Sequence, residues 1–183
     1  MRFKLKDKNE INNGFTITEL LIVVVVIAIL ASITIVSYRG ISNRAYDAAV
    51  SSDLSTLAKK IEMFRVSNSK FPLTGTEFES LQYNASKSAY QTTSINYNLL
   101  YCKLDGSLGQ KYSVVALSKS GNIFRVSSSI PTVESYSGSW APAAETMCSS
   151  LGADDGQATA NNRGYASDDQ VTGPWRAWTG SSQ

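Results

Sequence analysis

The chain has 183 residues, 17 basic and 15 acidic side chains, a net charge of +2 and no histidine. The missing histidine excludes a Ser-His-Asp triad, a Cys-His dyad and any zinc site built on imidazole. Four of the basic residues (Arg2, Lys4, Lys6, Lys8) and two acidic ones (Asp7, Glu10) fall in the first fourteen positions, so the remainder carries thirteen of each sign and has no basic surplus for binding nucleic acid over its whole surface.

After this polar head comes the most apolar stretch of the chain. Gly14-Phe15 opens it, Glu19 interrupts it, and from Leu20 to Val36 the only polar residues are Ser32 and Thr34. Those seventeen residues, extended by Ile17, approach the ~20 that a helix needs to cross a bilayer. The basic head favours a cytoplasmic N-terminus, which places the C-terminal part outside. A removable secretory signal is the competitor. The run is long for one, and Ala28-Ile29-Leu30-Ala31 has the wrong spacing for its cleavage site. Glu19 is the informative residue, because a carboxylate at mid-membrane is unfavourable by roughly 2.5–3.5 kcal/mol and such charges usually have a partner. No basic residue lies between Phe15 and Val36. A cut after Gly14 would create an α-amino group on Phe15, one helical turn from Glu19. Between two chains the same pair would set axial register. The plainer reading is a peripheral glutamate at the end of an ordinary anchor.

Basic leader, Gly14, Phe15, three residues, Glu19 and then an aliphatic run resemble the class III signal and N-terminal helix of type IV pilins and type II secretion pseudopilins. The resemblance covers residues 1 to about 72. It implies that a prepilin peptidase cuts between Gly14 and Phe15, that Phe15 becomes N-methylated, and that Glu19 guides assembly. Many members of that family carry a proline where this chain has Val36 and Ser37. Gly40 then stands as a substitute hinge, or as a point of close helix packing, since glycine within a helix costs about 1 kcal/mol against alanine.

The helix is expected to continue past the apolar run. Apolar or small residues recur at Ile41, Ala45, Ala48, Leu54, Leu57, Ile61 and Phe64, an amphipathic stripe in need of a cover. Ser67–Ser69 and Phe71-Pro72 end it. Unbroken from Phe15 to about Ser67, it would form a rod of roughly 80 Å. Leu73-Thr74-Gly75 reads as a turn, and Thr76 with Glu79 has capping-box spacing for a short helix through Leu81.

Strands follow. Ile95, Tyr97, Leu99 and Tyr101 alternate as in a half-buried strand. Lys111–Ser118 and Ile123–Ser127 flank the turn Lys119-Ser120-Gly121-Asn122 and form the clearest hairpin. Three antiparallel strands laid over Leu54, Leu57, Ile61 and Phe64 make an α+β domain. Cys102 and Cys148, the only cysteines, read in an exported domain as one disulfide, with two buried thiols as the alternative. Met147, Cys148 and Leu151 look like the last anchored turn. After about Gly152 little regular structure is expected beyond a short strand near Val171–Trp178, and the tail reads as flexible. Asp154-Asp155 and Asp168-Asp169 offer oxygen ligands suited to calcium but not the spacing of an EF-hand, and no metal site is expected. Trp175-Arg176-Ala177-Trp178 could stack on sugars or single-stranded DNA; burial against the sheet is the plainer reading.

The expected architecture is therefore a long N-terminal α-helix, transmembrane in its first half, packed on a small antiparallel β-sheet. Residues 1–14 are a leader, 15–39 a transmembrane and filament-core helix, and 40–183 an extracellular head. The expected function is a structural subunit of a type IV pilus, with no enzymatic activity and no cofactor. The alternatives are a secretion or competence pseudopilin and a membrane-anchored binding protein that never polymerises. The partners implied are other pilin subunits, the prepilin peptidase, the pilus assembly platform and the membrane.

Overall fold

A computed structural model describes residues 14–91, 97–104, 110–141, 143–152 and 166–167. The chain divides into two compact units, Met1–Gly40 and Ile41–Gln183. Helix α1, Ile17–Asn68, belongs to both. In the first unit its described side chains are all exposed, and the large aliphatics between Leu20 and Ile35 keep 48–62% of their surface open. Gly40 is exposed, and a Cβ added there would meet nothing within 4 Å. Among the described residues nothing therefore gives a close-packing reason for this glycine.

In the second unit α1 buries Val50, Leu54, Leu57 and Ile61 completely, with Phe64 partly covered. The predicted positions Ile41, Ala45 and Ala48 are exposed instead. There the helix is held by polar contacts: Asp47 accepts hydrogen bonds from Ser120 Oγ and from Asn122 Nδ2 at 2.8 Å, and Lys119 Nζ lies 5.3 Å from the Tyr46 ring centre. Small residues at 45 and 48 offer little area to a core, so hydrogen bonds to the hairpin turn take over the attachment. Ser69, at φ 58, stops the helix.

Among the described residues the sheet has five antiparallel strands in the order β4-β3-β2-β1-β5, two more than the three expected. They are β1 Leu99–Lys103, β2 Tyr112–Leu117, β3 Ile123–Ser127, β4 Glu134–Ser135 and β5 Ala166–Ser167. The hairpin β2–β3 forms as predicted, and its turn uses Gly121 at φ 95, where a side chain would be strained. The expectation of a half-buried strand is corrected at β1. Leu99 and Tyr101 face α1, while Leu100 and Cys102 join a second core on the opposite face with Val115, Met147, Cys148 and Leu151. Helix α3, Ala144–Ser150, packs there, and a Cys102–Cys148 disulfide ties it to β1 with Cα atoms 5.4 Å apart. Trp140 belongs to this layer, its ring centre 5.0 Å from that of Tyr97.

The segment between α1 and the sheet is fixed by buried polar groups. Helix α2, Gly75–Glu79, is capped by Thr74 and Glu77, not by the predicted Thr76 and Glu79. Glu77 also takes Leu73 N–H at 2.6 Å and Lys70 Nζ at 2.7 Å, which a glutamate two residues later could not reach from the same turn. Asp53, 9% exposed, accepts Ser86 N–H at 2.7 Å, Ser86 Oγ at 3.0 Å and Tyr90 OH at 3.0 Å. Beyond Gly152, where little regular structure is expected, the two-residue strand β5 pairs with Leu99 and Leu100. Val171–Trp178, both aspartate pairs and the Trp-Arg-Ala-Trp motif lie outside the described residues.

Candidate assembly site

The residues singled out in the sequence meet at the start of α1. Gly14 and Phe15 precede the helix and are exposed, Phe15 by 86%. Glu19 stands in the first helical turn. Thr16 completes the arrangement, and sequence reasoning missed it. Its carbonyl accepts the first helical bond from Leu20 N–H at 3.3 Å, so it is the N-cap. Its hydroxyl accepts Glu19 N–H at 3.2 Å, and Glu19 Oε2 takes both Thr16 N–H at 2.8 Å and Thr16 Oγ1–H at 2.7 Å. This reciprocal pattern is a capping box. The spacing Thr16-x-x-Glu19 is the signal for it in the sequence. Both bonds to the carboxylate fall on Oε2; Oε1 takes none among the described residues.

The run that follows hides its own polarity. Ser32 Oγ donates to Ile29 O at 2.7 Å, and Thr34 Oγ1 to Ala31 O at 2.9 Å and Leu30 O at 3.1 Å. Backbone groups inside a helix are already paired, so these bonds leave no unsatisfied donor to meet hydrocarbon. By length and composition this helix is apolar enough to cross a membrane. Among the described residues no cluster of His, Cys, Asp or Glu could hold a metal ion.

Residues 11–35 match the family model described as a prokaryotic N-terminal methylation motif. The chain is 32% identical over 98 residues to the type IV wide pilus major component PilA4 of Thermus thermophilus, an alignment covering 52% of this chain and 74% of that protein. The chain belongs to the type IV pilin and type II secretion pseudopilin family. It is also 30% identical over 74 residues to the type II secretion system core protein G of Klebsiella michiganensis, and 32% identical over 68 residues to that of Escherichia coli K12. Those alignments cover 40% and 37% of this chain, which spans about half the length of those relatives, 52% and 47%. A pilin-like fold accounts for the helix and for the antiparallel sheet against its second half. The expected disulfide and the expected anchored turn of Met147, Cys148 and Leu151 form the outer layer; its cover of the second face of β1 had no periodic signal in the sequence.

Proposed function

We propose that the chain is a structural subunit of a type IV pilus. The observation that carries this reading is the exposed apolar helix of the first unit, with one carboxylate in its first turn directly after Gly14-Phe15. In this reading a prepilin peptidase cuts after Gly14, Phe15 is N-methylated, and residues 1–14 are lost as a leader. Residues 15–39 sit in the membrane before assembly and in the filament core afterwards, while 40–183 form the extracellular head. Glu19 meets the Phe15 amine of a neighbouring subunit and sets register. The chain then acts by packing and not by catalysis; its partners are other pilin subunits and the assembly platform.

The 74% coverage of the wide-pilus relative supports a pilus. A secretion pseudopilin is the second reading, supported by the core protein G relatives. The test combines mass spectrometry of the mature N-terminus with electron microscopy of sheared surface material. A methylated Phe15 and long fibres containing the chain are expected. Glu19→Ala should still be cut and inserted yet give no fibres; normal fibres from that variant would refute the register role.

A further inference from the structure

Glu19 marks one border of the apolar run, and the other border is equally distinct. Tyr38 is 72% exposed, Arg39 is exposed, and together with Thr34 and Ile35 they line a shallow hollow on the helix surface. Arg39 makes no ion pair among the described residues. From Glu19 to Arg39 is twenty residues, about 30 Å of helix at 1.5 Å per residue, and that is the hydrocarbon thickness of a typical bilayer. An amphipathic ring beside an unpaired guanidinium, one bilayer thickness from the opposite charged border, is the arrangement expected where a helix leaves lipid. The ring settles among the headgroups, and the arginine stem lies along apolar surface while its charge reaches water.

We propose that Tyr38 and Arg39 form an interfacial anchor that binds the phosphate of an anionic phospholipid headgroup, one with no choline cation to neutralise it, in the outer leaflet. The arginine fork offers paired N–H donors to two phosphate oxygens. Thr34 and Ile35, one turn back on the same face, take the start of the acyl chain. The anchor fixes the depth of the helix, so that Gly40 is the first residue clear of the lipid. This inference rests on the reading that the chain spans a membrane before assembly.

The test uses the full chain in two measurements. Flotation with vesicles of phosphatidylcholine containing phosphatidylglycerol reports insertion. Native mass spectrometry from mixed detergent-lipid micelles reports the ratio of retained phosphatidylglycerol to phosphatidylcholine. The leader's basic residues are present in every variant and contribute a constant background. Arg39→Gln should float like the parent chain but lose about fivefold in that ratio, the effect of one cation at an anionic surface. Lys59→Gln, a cationic position in the second unit, should leave the ratio unchanged. Flotation with an unchanged ratio in Arg39→Gln overturns the anchor alone. An equal loss in Lys59→Gln also overturns it, in favour of diffuse charge attraction. A parent chain that does not float overturns both the anchor and the membrane reading beneath it.

Discussion

Removing the disulfide is the sharpest test of how the head is held together. Cys102 lies in β1 and Cys148 in α3, 46 positions apart, and both are almost fully buried in the second core. The chain-entropy relation for a loop of that length assigns the bridge about 4 kcal/mol. Domains usually have only about 5–15 kcal/mol in total, so the loss should be severe. For a unit spanning residues 41–183, a few degrees per kcal/mol puts the fall in midpoint at roughly 15 °C. The assay is thermal unfolding of the detergent-solubilised chain by circular dichroism, comparing the parent with Cys102→Ala/Cys148→Ala and with the parent after complete reduction. Reduction keeps both sulfur atoms and therefore opens no cavity, whereas the double alanine variant adds one. The reduced parent should show most of the fall and the double variant somewhat more. A reduced protein melting within about 3 °C of the oxidised one would refute the claim that the bridge holds α3 on the sheet, because the second core alone would then suffice.

Two further predictions concern carboxylates, Glu77 partly covered and Asp53 buried, with opposite responses to pH. Burial would raise the Glu77 carboxyl, but the Lys70 hydrogen bond, the Leu73 and Thr74 N–H groups and the Lys70 charge together hold it below its ordinary 4.5. Its contribution is therefore present above pH 4.5 and is lost as the pH falls through the lower folded value. Glu77→Ala should cost about 0.5–2 kcal/mol at pH 7, the range for losing a helix cap, and the difference from the parent should shrink in acid; a difference that grows in acid would refute it. Asp53 is raised above 3.8, chiefly by burial, with the bonds from Ser86 and Tyr90 opposing. Its folded form holds its proton more tightly than its unfolded form, so the parent should gain stability relative to Asp53→Asn as the pH falls from neutral through the raised value, with the gain complete near 3.8. Melting curves of the pair at neutral and mildly acidic pH check this, and a pH-independent difference would refute it.

What was legible in the chain follows from which interactions repeat. Leu54, Leu57 and Ile61 recur at helical spacing because one continuous surface covers them, so the stripe could be read. Ile41, Ala45 and Ala48 share a similar spacing but face no sheet; periodicity records which residues lie on one side, not where the covering layer ends. Leu100 and Cys102 broke the expected alternation of β1, and the reason lay about fifty positions away in α3, whose Met147 and Leu151 close the outer face. A strand buried on both faces loses its period-two signal. Asp47 and Asp53 were invisible for the same reason: their partners, Ser120, Asn122, Ser86 and Tyr90, lie 33–75 positions away. Thr16 was legible in principle, since its contact with Glu19 is local.

The geometry around Thr16 bears directly on assembly. The large aliphatics from Leu20 to Ile35 each keep about half their surface open, and at 1.5–3 kcal/mol for a fully buried side chain their exposure to water would cost on the order of 10–20 kcal/mol. Water is therefore not their environment. Hydrocarbon is as good a cover as a neighbouring helix, however, so exchanging lipid for sister subunits gains little from apolar contact alone. What distinguishes one packing from another must then be polar, and between Phe15 and Val36 the only charge is Glu19. A carboxylate left bare at the lipid border would be unfavourable before any partner arrived. Thr16 answers that by donating both its N–H and its hydroxyl to Oε2 of Glu19. Oε1 stays open among the described residues, so an incoming amine can add to the carboxylate without first breaking the cap. In the proposed filament the capping box therefore precedes the intersubunit pair and does not compete with it: Thr16 keeps the charge tolerable in the membrane, and the second oxygen keeps it available for the next subunit.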